Sequence, residues 1–266
     1  GQGLQTFDHE FDVFHVVLNR EGTRLAVATV SRAGDERRRI YVWDTTTGSL
    51  VTQLSPPPVA PRVAKRGRAF GMVSLDDAGR LLAYDEYAVR PGGSEVTFGR
   101  VCLLDLATGQ RRATLEGFPT MIDKLKLSGE GSLLAVASEG HGVVVYDVAG
   151  DCWRHGTPLT GSTSESCFDL AFSPDGRRLA GATRVQVVMW DMTTGQQVLV
   201  LHGAPPRPGD NGFNPRVVWS ANGQRLAASH WNSTATIWDA ADREAPAARR
   251  IALERARQRP PLAWQP

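Results

Sequence analysis

The stretch DLAFSPDGRRLAGATRVQVVMWDMTTGQQVLVL, residues 169–201, decides the fold. It holds four short apolar runs: DLAFS at 169–173, RLAGAT at 178–183, VVMWD at 187–191 and QVLVL at 197–201. Runs this short, with β-branched content and turn residues between them, form strands rather than helices. Ser173-Pro174-Asp175-Gly176 makes the first tight connection, and Thr194-Gly195 marks the last. Glycine suits the end of such a turn because that residue takes positive φ, where a Cβ would clash. The runs are apolar almost throughout, so each strand is expected to be covered on both faces.

The same grammar recurs along the chain. First strands are HVVLN (15–19), GMVSL (71–75), KLKLS (124–128), the DLAFS above and VVWS (217–220). Tight turns then close on Gly22, Gly79, Gly131, Gly176 and Gly223. Second strands follow: RLAVAT (24–29), LLAYD (81–85), LLAVAS (133–138), RLAGAT and RLAAS (225–229). Third strands end in Asp44, Asp105, Asp147, Asp191 and Asp239, spaced by 61, 42, 44 and 48 residues. A period in the forties is one four-stranded unit per repeat, and the long interval holds insertions.

These residues resemble the WD-repeat family. Trp43-Asp44, Trp190-Asp191 and Trp238-Asp239 are its name-giving pair, and SPDG followed by RLA resembles its commonest turn and second strand. Two units depart, with Leu104-Asp105 and Tyr146-Asp147. The resemblance implies an all-β fold, a β-propeller of four-stranded antiparallel blades. The Trp ring then fills the space between blades, and the Asp accepts hydrogen bonds from the following turn. The family's Gly-His and Asp tetrad is eroded: Arg184, Gly140 and Asn232 stand at the hairpin position. Stability is therefore expected to rest on apolar packing between blades.

Five units are expected, at about 10–54, 70–115, 121–160, 167–202 and 216–245, making a propeller region over 1–245. Gly1–Phe7 matches Gly195–Leu201 in phase and reads as an orphan fourth strand. An incomplete seven-bladed ring is preferred to a five-bladed ring closed by Leu4–Phe7. Residues 246–266 form a basic tail, with helix formers over Ala247–Arg259 stopped by Pro260-Pro261.

Composition narrows function. A net charge of +2 with 22% charged residues does not predict a nucleic-acid partner. No apolar run approaches a membrane span. Lysine occurs only at 65, 124 and 126, a bias toward arginine read as that of a GC-rich bacterial genome. Cys102, Cys152 and Cys167 have no metal-ligand spacing and read as small apolar filler in a reducing, cytoplasmic setting. The six histidines form no HExxH motif, and Ser164 and Ser166 lack a GxSxG elbow. No cofactor and no catalytic residue are assigned. Asp76-Asp77 reads as turn chemistry.

Antiparallel strand order puts the second-to-third and fourth-to-next-first connections at one end. The insertions gather there, at 31–38, 55–71, 89–96 and 203–215. Variable loops on a rigid scaffold are a recognition surface. Arg37, Arg38, Arg62, Lys65, Arg66, Arg68 and Arg90 fall in them and could receive an acidic or phosphorylated protein or peptide. The expected function is a non-catalytic interaction scaffold or sensor module. The alternative is a propeller-fold hydrolase or dehydrogenase with a site built from distant loops.

Overall fold

The computed structural model describes residues 5–30, 38–57, 71–89, 96–118, 122–138, 140–155, 158–159, 161, 166–184, 186–202, 215–230 and 234–239. Among them there is no helix, and strands form five antiparallel sheets. Sheet 1 is β1 (Asp12–Leu18), β2 (Arg24–Val30), β3 (Arg38–Asp44) and β4 (Leu50–Leu54). Sheet 2 is β5 (Val73–Leu75), β6 (Leu81–Val89), β7 (Val96–Asp105) and β8 (Arg111–Phe118). Sheet 3 is β9 (Ile122–Leu127), β10 (Leu133–Ser138), β11 (Gly142–Asp147) and the two-residue β12 (Cys152–Trp153). Sheet 4 is β13 (Asp169–Phe172), β14 (Arg178–Ala182), β15 (Gln186–Asp191) and β16 (Gln197–His202). Sheet 5 has three strands among the described residues: β17 (Val217–Trp219), β18 (Arg225–Ser229) and β19 (Ala235–Asp239). In each sheet neighbours in sequence are neighbours in space. Four-stranded antiparallel sheets repeated in this way fit a β-propeller-like fold.

The alternation of side chains explains the stacking. Odd and even residues of a strand face opposite sides, so an all-apolar strand must be covered twice. Ala26, Ala28, Ile40 and Val42 of sheet 1 pack on Val73, Leu82, Tyr84 and Cys102 of sheet 2. Val101 and Leu103, on the other face of sheet 2, meet Leu125, Leu127, Leu134 and Val136 of sheet 3. Ala135, Val143 and Val145 carry the contact on to Leu170, Leu179, Val188 and Trp190 of sheet 4. Ala180, Val187 and Met189 then meet Val217, Leu226 and Trp238 of sheet 5.

Sheet 5 keeps an apolar face exposed, and sheet 1 leaves its first strand exposed on the face whose Val27 and Tyr41 are buried. Val13, Val16 and Leu18 of β1 are about half exposed, and Val218 and Ile237 of sheet 5 are 61% and 68% exposed.

Three expectations change. Gln5–Phe7 forms no strand: Phe7 instead lays its ring on Trp43, centroids 4.9 Å apart, and the Trp43 Nε1–H donates to His9 Nε2 at 3.3 Å. An aromatic side chain, rather than backbone pairing, covers that part of sheet 1. The β6–β7 hairpin runs past the apolar LLAYD and VCLLD segments, because its ladder continues through Glu86↔Arg100 and Tyr87↔Gly99 to Val89↔Val96. Cys152 is exposed on the short edge strand, whereas Cys102 and Cys167 are buried filler. Gly1–Leu4 and the 240–266 tail lie outside the described residues.

Candidate functional site

The repeated aspartates are turn acceptors. Oδ1 of Asp44 accepts from the amides of Thr46 and Thr47 at 2.8 and 3.0 Å. Asp105 does the same with Ala107 and Thr108, Asp147 with Ala149 and Gly150, and Asp191 with Thr193 and Thr194, all within 2.8–3.1 Å. In sheets 1 and 5 the second oxygen takes the arginine across the ladder: Arg24 on Asp44 at 2.6 Å and Arg225 on Asp239 at 2.9 Å. The arginine that opens an RLA strand is the sequence signal for this pair in sheets 1 and 5; Arg178, which stands across from Asp191 in sheet 4, does not make it. Asp76, in the sheet 2 turn, is fully buried and accepts from the amides of Arg80 and Leu81.

Hydrogen bonds from Thr46, Thr108 and Thr194 respectively are the largest influence on Asp44, Asp105 and Asp191, and hold all three carboxyls below the usual carboxylate range. A depressed folded pKa contributes stability above the unfolded value and loses it as pH falls through the folded one. Replacing all three with Asn keeps a turn acceptor and removes the titration. The triple variant is expected to show a shallower loss of stability than the native chain below about pH 4, read by urea melts at successive pH values.

The third-strand aromatic position faces the preceding sheet. Leu104 packs toward sheet 1, Tyr146 toward sheet 2, Trp190 toward sheet 3 and Trp238 toward sheet 4. Trp190 is 1% exposed, whereas Trp43 and Trp238 are partly buried.

The expected basic patch is corrected at one position. Arg38 is the first residue of β3 and is buried, not displayed in a loop. Its Nη1 pairs with Asp85 Oδ1 at 3.2 Å, its Nη2 donates to the Asp85 carbonyl at 3.0 Å, and its guanidinium lies over the Tyr87 ring. A cation this close to a buried carboxylate is an internal tie, not a docking group. Arg37, Arg62, Lys65, Arg66, Arg68 and Arg90 lie outside the described residues.

A different feature comes from the first strands. All five line one cavity of about 590 Å³. Polar bonds stitch neighbouring first strands around it. The Val73 amide donates to His15 Nδ1 at 3.3 Å, and the Leu127 amide donates to Ser74 Oγ at 3.0 Å. Lys124 pairs with Asp169 at 3.1 Å, and the Val217 amide donates to Asp169 at 3.1 Å. At the other end Asn19 donates to the Asp77 carbonyl, and the Asp77 amide to Gly129. Asp169 opens β13 and Arg216 precedes β17, with Lys124 two and His15 three residues into their strands, toward the end the long connections leave from. Sequence reading passed over them; the alternation in KLKLS, with two of the chain's three lysines, was the available signal.

Among the described residues no group of three or more His, Cys, Asp and Glu side chains could hold a metal, and no helix is long and apolar enough to cross a membrane. A search of protein-family models and of curated proteins matches nothing to this chain.

Proposed function

We propose that this chain is a non-catalytic binding module of the WD-repeat β-propeller type, which grips a protein or peptide partner with the connections at one end. The observation that supports it best is architectural. Five sheets are locked face to face by apolar clusters, so the end from which the connections leave is a fixed platform. The repeated Trp-Asp positions are used up in packing and turns, which leaves recognition to the connections. The exposed apolar face of sheet 5 supports a ring that continues past that sheet, since stacked blades hide such a face against another sheet.

The partner is an acidic or phosphorylated segment received by Arg62, Lys65, Arg66 and Arg68. Reversing these four to Glu is expected to leave the thermal melt unchanged and to abolish capture of such a partner from cell extract. Capture that survives the reversal, or that is indifferent to phosphatase treatment and to salt, would retire the basic-loop reading.

A further inference from the structure

The geometry points to a phosphate-binding site inside the central cavity, at the end lined by His15, Lys124, Lys126 and Arg216. Its ligand class is a phosphate monoester, carried either by a free metabolite or by the tip of a phosphorylated side chain. This does not depend on the loop-borne docking surface, because all its residues belong to the first strands or lie immediately beside them.

Charge and shape both argue for it. Two cations converge on one carboxylate, and a third lines the same cavity. Lys124 is buried, with its Nζ 3.1 Å from Asp169 Oδ1, and Arg216 Nη1 is 3.8 Å from the same oxygen. The other oxygen of Asp169 is held by the Val217 amide. Lys126 stands two residues along β9 on the same face as Lys124 and lines the same cavity. One carboxylate therefore leaves two positive charges unbalanced, which matches a dianionic group. A cavity of about 590 Å³ is of the size that small ligands occupy.

His15 reports on this field. Its Nδ1 accepts the Val73 amide, so the neutral ring carries its proton on Nε2 and offers a donor. Burial is the largest cause of its depressed pKa, about 4; Lys124, Arg216 and Lys126 depress it further, and Asp169 alone raises it. Burial also lowers the Lys124 pKa, although Asp169 opposes that shift. A bound phosphate would relieve both groups, because a nearby anion favours the protonated forms. Low dielectric and partial enclosure make such an interaction stronger than on open surface.

The test is a titration of the full chain with inorganic phosphate, followed by the imidazole nitrogen resonances of His15. The expected result is a saturable shift, with the His15 pKa rising toward the ordinary value of about 6.5. Affinity should fall at least about tenfold in Lys126→Met/Arg216→Gln, the removal of two charges each costing a sizeable part of the attraction. These two side chains are the more exposed cations, so the variant should fold, and a melt checks it. Arg20→Gln, at the far end of the same cavity, should bind phosphate as the native chain does. No saturable shift by ~20 mM phosphate, a range that would already detect millimolar affinity, overturns the proposal. So does equal affinity in a folded Lys126→Met/Arg216→Gln variant. A hexose phosphate and a phosphoserine peptide then separate the two sources: the tighter binder identifies its source, and neither exceeding inorganic phosphate overturns the monoester assignment.

Discussion

Replacing Trp190 with alanine is expected to cost about 3–5 kcal/mol of stability, the range for deleting a large aromatic from a core. The ring is 1% exposed and sits in the cluster that joins sheets 3 and 4, with Leu133, Val145, Leu170 and Leu179 around it. Its space is cut to shape by Gly181 on the neighbouring strand. A Cβ built on Gly181 would lie 2.7 Å from Trp190 Cζ3 and 3.0 Å from Cys167 Sγ, so no larger residue fits beneath the indole. Two consequences can be measured together by chemical denaturation. Gly181→Ala should destabilise the native chain, and should cost less in a Trp190→Ala background, where the indole contacts are gone and only Cys167 Sγ remains close. Residues in contact give such non-additive cycles. A Trp190→Ala loss below about 1 kcal/mol, the range of surface changes, or strict additivity with Gly181, would mean that the ring does not carry the contact between these sheets.

The Trp190–Gly181 pair also shows how much of the fold was legible. The repeat exposed every sheet, because turn glycines and closing aspartates recur in phase and the physics behind them is local. Gly22, Gly79, Gly131, Gly176 and Gly223 all take positive φ, as the turn positions require. The aspartates accept amides two and three residues ahead, an interaction contained within one turn. Long-range pairing was not legible. Gly181 stands where the other second strands carry Val27, Tyr84, Val136 and Ala228, but only the structure reveals the indole lying over it. Arg38 looked like part of a basic loop because its neighbour Arg37 and the acid-poor loops suggested one. Its partner Asp85 lies 47 residues away on another sheet, at a distance in sequence where no periodicity connects them. The cavity cations were hidden for the same reason: Lys124, Asp169 and Arg216 come from three separate units and meet only when the first strands converge.

Breaking the Arg38–Asp85 pair from one side is expected to cost about as much as losing Trp190. Both side chains are nearly inaccessible, at 2% and 0% exposure, and they tie sheet 1 to sheet 2. Arg38→Met leaves a buried carboxylate without its cation, with the Met72 amide at 2.9 Å and the neutral Tyr87 hydroxyl beside it. An uncompensated buried charge of this kind typically costs about 3–5 kcal/mol. Burial already outweighs Arg38 and holds the Asp85 pKa above the ordinary carboxylate value, and removing the guanidinium raises it further. A carboxyl whose folded pKa lies above its unfolded one contributes stability that is full at low pH and lost as pH climbs through the folded value. The deficit of Arg38→Met should therefore be small near pH 4 and grow toward neutrality. Replacing both partners, as Arg38→Met with Asp85→Leu, removes the charge problem along with the pair. That double variant is expected to recover most of the lost stability at neutral pH, since a buried ion pair gains little over apolar groups of similar volume. Urea melts of the two single variants and the double, at pH 4 and pH 7, measure the whole cycle. A single variant insensitive to pH, or a double variant no better than the worse single one, would show that the pair acts through shape rather than charge.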